Sequence, residues 1–178
     1  MSKELVIADT HLGHRNIIRY CGRPFNSVVH MDAEIIRRWN EKVRPNDRVY
    51  HLGDFALVGK SKETIANYVS QLNGHKTLIL GNHDKQSIGW WEDVGFDQVV
   101  KNQIEIGDYL FTHYPIPERD MLYSDKINVH GHVHKYLIQD SKHICVCVEY
   151  TNYYPVLLKD LPRMLKTQNG RTNSGRVN

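Results

Sequence analysis

The chain has 178 residues, 40% hydrophobic and 24% charged, which suits one domain with a sizeable core. No stretch approaches the roughly 18 apolar residues of a membrane-spanning helix. The formal net charge of +3 comes entirely from Lys166, Arg171 and Arg176 in the last thirteen residues, KTQNGRTNSGRVN, so the body is formally neutral and charge alone makes no case for a nucleic-acid or membrane partner.

The start, MSKELVIADT, lacks a long apolar region with a cleavage site. The three cysteines form no spaced framework, which suits reduced thiols and a cytoplasmic location. Residues 1–165 are expected to form one domain, and 166–178 a basic, unstructured tail rich in Asn, Gly, Ser and Thr.

LVIA (5–8) predicts a buried strand. A loop and a short helix follow in HRNIIRYCG (14–22). MDAEIIRRWNEKV (31–43) predicts a helix, with Met31, Ile35, Trp39 and Val43 on one stripe, and RPND ends it because Pro45 cannot continue the ladder. RVYHL (48–52) is a second strand. SKETIANYVSQL (61–72) is a second long helix, striped by Ile65, Tyr68, Val69 and Leu72 and stopped at Asn73-Gly74. KTLIL (76–80) is a third strand. The first half therefore reads β-α-β-α-β, the pattern of parallel strands with crossover helices.

The second half changes character. FDQVV, QIEIG, YLFTH, INVHG, HICVCVEY and VLL predict short strands without long helices between them, hence antiparallel or mixed sheet. YPIPERDMLYSDK (114–126) reads as a long loop and DLPRMLKT (160–167) as a last short helix. Cys145 and Cys147 could bind metal as a C-x-C pair; two buried strand cysteines are the favoured reading.

Five of these runs end in side chains that can bind metal. LVIA leads to Asp9 and His11, RVYHL to Asp54, KTLIL to Asn82, His83 and Asp84, YLF to His113, and INV to His130, His132 and His134. Ligands in open α/β sheets bind at the carboxyl ends of strands, so this order would gather residues spread along most of the chain. In an extended strand, His130, His132 and His134 would also share one face. Any one of these motifs is weak alone; the ordered set D-x-H, G-D, G-N-H-D, H, G-H-x-H is specific.

That set resembles the calcineurin-like metallophosphoesterase superfamily, in a small single-domain bacterial and phage branch, from about residue 5 to 135. The resemblance implies an α/β fold of two packed mixed β-sheets flanked by helices. It implies two divalent metal ions, with Mn²⁺ favoured and Fe, Zn²⁺ or Ni²⁺ as alternatives. Asp9, His11 and His134 would hold one ion, Asn82, His113 and His132 the other, and Asp54 would bridge them. The implied reaction is phosphoester hydrolysis by a metal-bridging hydroxide; a fairly open site, with only the 114–126 loop beside it, favours a phosphodiester or nucleotide over an enclosed small monoester. His83 would assist the leaving group, with Asp84 orienting its ring. A phosphomonoesterase or nucleotide phosphatase, or a non-catalytic metal-binding scaffold, are the alternatives.

His14 and Arg15 are candidates for substrate contact, ahead of Arg19 and Arg23. His130 is expected to be structural, His51 a satisfied core histidine, His30, His75 and His143 surface residues, and Trp90-Trp91 core. FALVGK follows Gly53-Asp54, so the Asp-Arg-Gly continuation typical of phosphoprotein phosphatases is missing. The expected partner is a small phosphoester or nucleotide; nucleic acid is less favoured and a membrane is not expected.

Overall fold

The computed structural model describes residues 2–59 and 61–170. Two mixed sheets pack face to face. The larger contains β1 (Glu4–Ile7), β2 (Arg48–His51), β3 (His75–Ile79), β4 (Gln98–Val100) and β9 (Val156–Leu157), in the order β4-β3-β2-β1-β9. Its first four strands are parallel and β9 is antiparallel to β1. The smaller sheet is β5-β6-β7-β8, from β5 (Gln103–Ile106), β6 (Tyr109–Thr112), β7 (Ile127–His130) and β8 (His143–Cys145), with only the β5–β6 hairpin antiparallel. The helices are α1 (Arg15–Cys21), α2 (Val28–Lys42), α3 (Lys62–Ser70), α4 (Ile88–Asp93), α5 (Glu118–Met121) and α6 (Leu161–Asn169). None of the described helices is long and apolar enough to cross a membrane.

Strand alternation builds two cores from one sheet. On β1, Leu5 and Ile7 join the core shared with Ile35 and Trp39 of α2, Ile65 and Val69 of α3 and Trp91 of α4. Val6 and Ala8 face the other way and pack with Tyr50, Ile79, Phe111, Val129 and Ile144 between the sheets. Leu161 on α6 closes this second core. With both faces covered, the parallel strands carry near-continuous apolar runs.

Local chemistry sets the helix limits. α2 begins three residues before the expected Met31, because the Ser27 side chain accepts the His30 N–H and caps the helix there. Ser61 caps α3 in the same way through the Thr64 N–H. The loop expected over 114–126 contains the one-turn α5. Of the residues expected as a tail from Lys166, 166–169 instead finish α6, and the buried Gln168 side chain bonds both the N–H and the carbonyl of Cys145. The rest of that tail, 171–178, lies outside the described residues.

Three histidines outside the metal-binding motifs are held in the interior. His143 is not on the surface as expected: it is buried, with Nδ1 against Asp140 Oδ2 at 2.7 Å and Nε2 against the Ile116 carbonyl at 2.7 Å. His51 is a core ring, 2.9 Å through Nε2 from Thr10 Oγ1. His130 is buried, with Nδ1 2.9 Å from the Gly131 carbonyl. Burial lowers His51 from 6.5 to about 3 and His130 from 6.5 to about 4.

The His51 and His130 rings are neutral when folded and charge more readily when unfolded. At these two rings the unfolded state therefore binds more protons below pH 6.5, and the stability they contribute above that pH is lost as it falls towards the folded values. Because buried Asp9 and Asp84, each raised to about 7, gain stability over the same range, the histidine share is read by comparing urea unfolding of metal-free wild type and His51→Gln between pH 7 and pH 5. In His51→Gln the pH-dependent loss should shrink by about 2 kcal/mol.

Candidate metal centre

The carboxyl ends of β1, β2, β3, β6 and β7 converge, and each delivers at least one of the expected side chains. Two groups form. Asp9, His11 and His134 place one potential ligand atom each within 4.8 Å of one another, and Asp54, His113 and His132 do the same. Asp54 Oδ2 joins the groups: it lies 3.5 Å from His11 Nε2 and 3.6 Å from His113 Nε2. Asn82 Oδ1 is 3.0 Å from His113 Nε2. All seven residues expected as ligands are thus brought together.

The backbone is bent to achieve this. Among the described residues, seven non-glycine positions have positive φ, and five of them are Asp9 (59°), His11 (50°), Asp54 (56°), His132 (68°) and His134 (45°). L-residues avoid this region at a cost of roughly 1–2 kcal/mol each, and such conformations cluster at functional sites. His132 and His134 therefore do not share a strand face, because β7 ends at His130 and the two rings come from a tight turn beyond it. Close approach also dictates two glycines. A Cβ on Gly81 would meet the Asp54 carboxylate, and one on Gly131 would meet Asp9 and the Ala8 Cβ.

The donors themselves fit a cation. Asp9 Oδ1 and His11 Nε2 are buried without a hydrogen-bond partner and lie 3.9 Å apart. Burial, reinforced by the Asp54 charge, raises Asp9 to about 7 even though His134 opposes the rise. Burial pushes His11 well below its usual 6.5, and Arg23, His134, His14 and His83 add to that. Burial likewise lowers His113 and His132. Burial would lower His134 too, but Cys21, Glu149 and Asp9 outweigh it and raise the ring to about 10. Orphaned lone pairs on imidazole and carboxylate, with no thiolate aimed at them, suit a borderline or hard divalent metal.

His83 stands at the rim. Its side chain is 37% exposed, its Nε2 is 3.9 Å from Asp54 Oδ2, and its N–H donates to Asp54 Oδ1 at 2.9 Å. Asp84 does not orient that ring. It is buried, and its two oxygens accept the N–H groups of Asp54 (2.7 Å), Gly81 (2.9 Å) and Phe55 (3.2 Å). Its work is to tie the 81–84 turn to the loop bearing Asp54. Burial raises its pKa to about 7.

The two substrate-contact candidates separate. His14 is at the site, its ring centroid 5.4 Å from His11 and 6.4 Å from His83. Arg15 is exposed and lines, with Arg19 and Tyr20, a hollow of about 320 Å³ that includes no expected ligand. Arg23 is not available to substrate, being buried beneath the site. Cys145 and Cys147 are buried free thiols, and Cys147 donates to Asp9 Oδ2 at 3.2 Å. Trp91 is core, with Trp90 packed against it.

Sequence reading missed Glu149 and Asp32. Asp32, within α2, accepts the Gly13 N–H and the Tyr68 hydroxyl and so anchors the loop after His11. Glu149 follows the last bridge of HICVCVEY and accepts from His134 and Arg23. An acid directly after a buried strand was the available signal.

Two imidazole-carboxylate clusters at the strand ends of a two-sheet α/β sandwich form a candidate metal centre. The chain belongs to the calcineurin-like phosphoesterase superfamily, whose domain model matches residues 3–148. It is 34% identical over 174 residues to an uncharacterised protein of Methanocaldococcus jannaschii, covering 93% of each chain. Its fold is similar to that of a protein of unknown function from Aquifex aeolicus, with TM-score 0.71, 25% identity, and 92% and 99% of the two chains covered. Nuclease MPE of Pseudomonas putida shares the fold at TM-score 0.50 and 20% identity, over 74% of this chain and 61% of that one.

Proposed function

We propose that this chain hydrolyses a phosphodiester at a two-metal centre, with Mn²⁺ the favoured ion and Fe, Zn²⁺ and Ni²⁺ as alternatives. The observation that carries the reading is Asp54 Oδ2, one oxygen within 3.6 Å of ring nitrogens from both clusters. Asp9, His11 and His134 would hold one ion, Asn82, His113 and His132 the other, and Asp54 would be shared. Bound metals acidify water and neutralise phosphoryl charge.

The protein's own groups do the rest. Only two of the seven ligands are anionic, so a negatively charged phosphoryl group meets little repulsion; a third carboxylate in place of Asn82 would add it. His83, partly out in solvent beside Asp54, is placed to hand a proton from Nε2 to the departing oxygen. His14 stands next to it on the same rim.

The diester preference rests on room. A cleft of about 440 Å³ runs from His132 and His134 past Tyr20, Cys21, Lys135 and Tyr136, and leaves space for a second ester substituent. Three free thiols fit a reducing compartment, the cytoplasm. With Mn²⁺ supplied, the purified protein should hydrolyse an aryl phosphodiester faster than the matching monoester. A chelator should stop the reaction and fresh Mn²⁺ restore it. A faster monoester moves the reading to a phosphatase, and no turnover of either ester with any of the four metals overturns it.

A further inference from the structure

Beneath the first cluster lies a polar chain that links Asp9 and His134 through two residues outside the expected ligand set, Arg23 and Glu149. Arg23 is 4% exposed, yet its guanidinium is fully engaged. Nη1 donates to the Thr10 carbonyl at 2.8 Å and Nη2 to the Asp9 carbonyl at 2.7 Å. Nε and Nη2 reach Glu149 Oε1 at 3.0 and 2.8 Å. The same Oε1 is 3.2 Å from His134 Nδ1, and the far nitrogen of that ring, Nε2, is 3.7 Å from Asp9 Oδ1. The chain closes on itself, from Asp9 through Arg23, Glu149 and His134 back to Asp9.

We propose that Arg23 and Glu149 are positioning residues for the metal centre: Glu149 fixes the His134 ring with Nε2 turned inwards, and Arg23 holds Glu149 and the Asp9-Thr10 backbone in register with it. This rests on the two-metal reading above. A carboxylate accepting at one imidazole nitrogen fixes the tautomer and orientation in which the other can ligate. The need is specific here, because Asp9 and His134 both sit at positive φ. Such backbones persist only when their surroundings hold them, and Arg23 bonds the carbonyl of the first while Glu149 bonds the ring of the second.

Cys21, His134 and Glu149 could themselves be read as a ligand triple. The Arg23 guanidinium 2.8 Å from the shared oxygen argues against a cation there, since it already supplies the positive charge. Glu149 Oε2 is buried without a partner, so Oε1 alone carries the brace.

The test is calorimetric titration of metal-free protein with Mn²⁺, comparing wild type, Glu149→Gln and Glu149→Ala, with thermal melts of each without metal. Wild type should bind two ions. In Glu149→Gln the site served by His134 should weaken about 10- to 100-fold, while the site served by His113 and His132 keeps its affinity. Should the Ala variant fail to fold, the isosteric Gln variant still decides the matter. A lower melting temperature with both affinities unchanged would make the pair merely structural and overturn the proposal. Equal weakening at both sites would overturn it too. Wild type binding no metal would bring down the two-metal reading itself, and this inference with it.

Discussion

Asp54→Asn is expected to lower phosphodiester hydrolysis at least about a thousandfold and to reduce bound metal from two ions per chain to one or none. The substitution preserves shape, and an amide Oδ1 can still accept the His83 N–H that Asp54 Oδ1 takes now. What it removes is the charge on the one oxygen that faces both His11 and His113. Asp9 would then be the sole anionic ligand, buried at one side of the pair.

Stability should move the other way. Without metal, Asp54 and Asp9 are buried carboxylates whose charges oppose each other, which is part of why Asp9 is raised to about 7. The metal-free Asp54→Asn variant should therefore melt no lower than wild type. The gain from added Mn²⁺, about 2.7 kcal/mol per site at a concentration 100 times that site's dissociation constant, should be present in wild type and smaller in the variant, or absent where no ion stays bound. Elemental analysis with paired melts reads both effects. A variant that keeps two ions and full turnover would show that Asp54 is not the shared ligand.

The site was legible in sequence because a strand end is a local signal. A short apolar run followed by Asp, Asn or His says both that the chain is buried and where it emerges, and parallel topology then brings five such ends to one edge. The same logic misplaced the His132-His134 pair on a strand. Alternation of residue types predicts a pleat, but both positions have left-handed backbone, and at His132 it is held by Asp9, whose carboxylate accepts the His132 N–H at 2.9 Å. No nearby residue announces that.

Asp84 failed for a related reason. Adjacency to His83 suggested a partner ring, yet the carboxylate meets backbone N–H groups some thirty positions away. Arg23 is a weaker candidate than His14 or Arg15 for phosphate contact by residue type, and only its acid partner Glu149, 126 positions off, shows it to be interior. His143 was hidden in the same way by Asp140 and the Ile116 carbonyl. Residue type and periodicity locate the edge of the sheet; which polar groups are buried behind it depends on pairings that exist only in the folded chain.

His83→Ala is expected to reduce kcat by about a hundred- to ten-thousandfold while both metal ions stay bound. The backbone bond from residue 83 to Asp54 Oδ1 survives truncation, and the lost ring sits at the rim with its Nε2 3.9 Å from Asp54 Oδ2. Metal content and melting temperature should therefore change little. The leaving group gives the sharper readout. A nitrophenolate departs without needing a proton, so an aryl diester should lose least, whereas an alkyl diester, whose alkoxide must be protonated as it leaves, should lose most. If the loss were the same for both esters, or came with loss of a metal ion, His83 would be acting on binding or on the centre itself, not as the proton donor to the leaving oxygen.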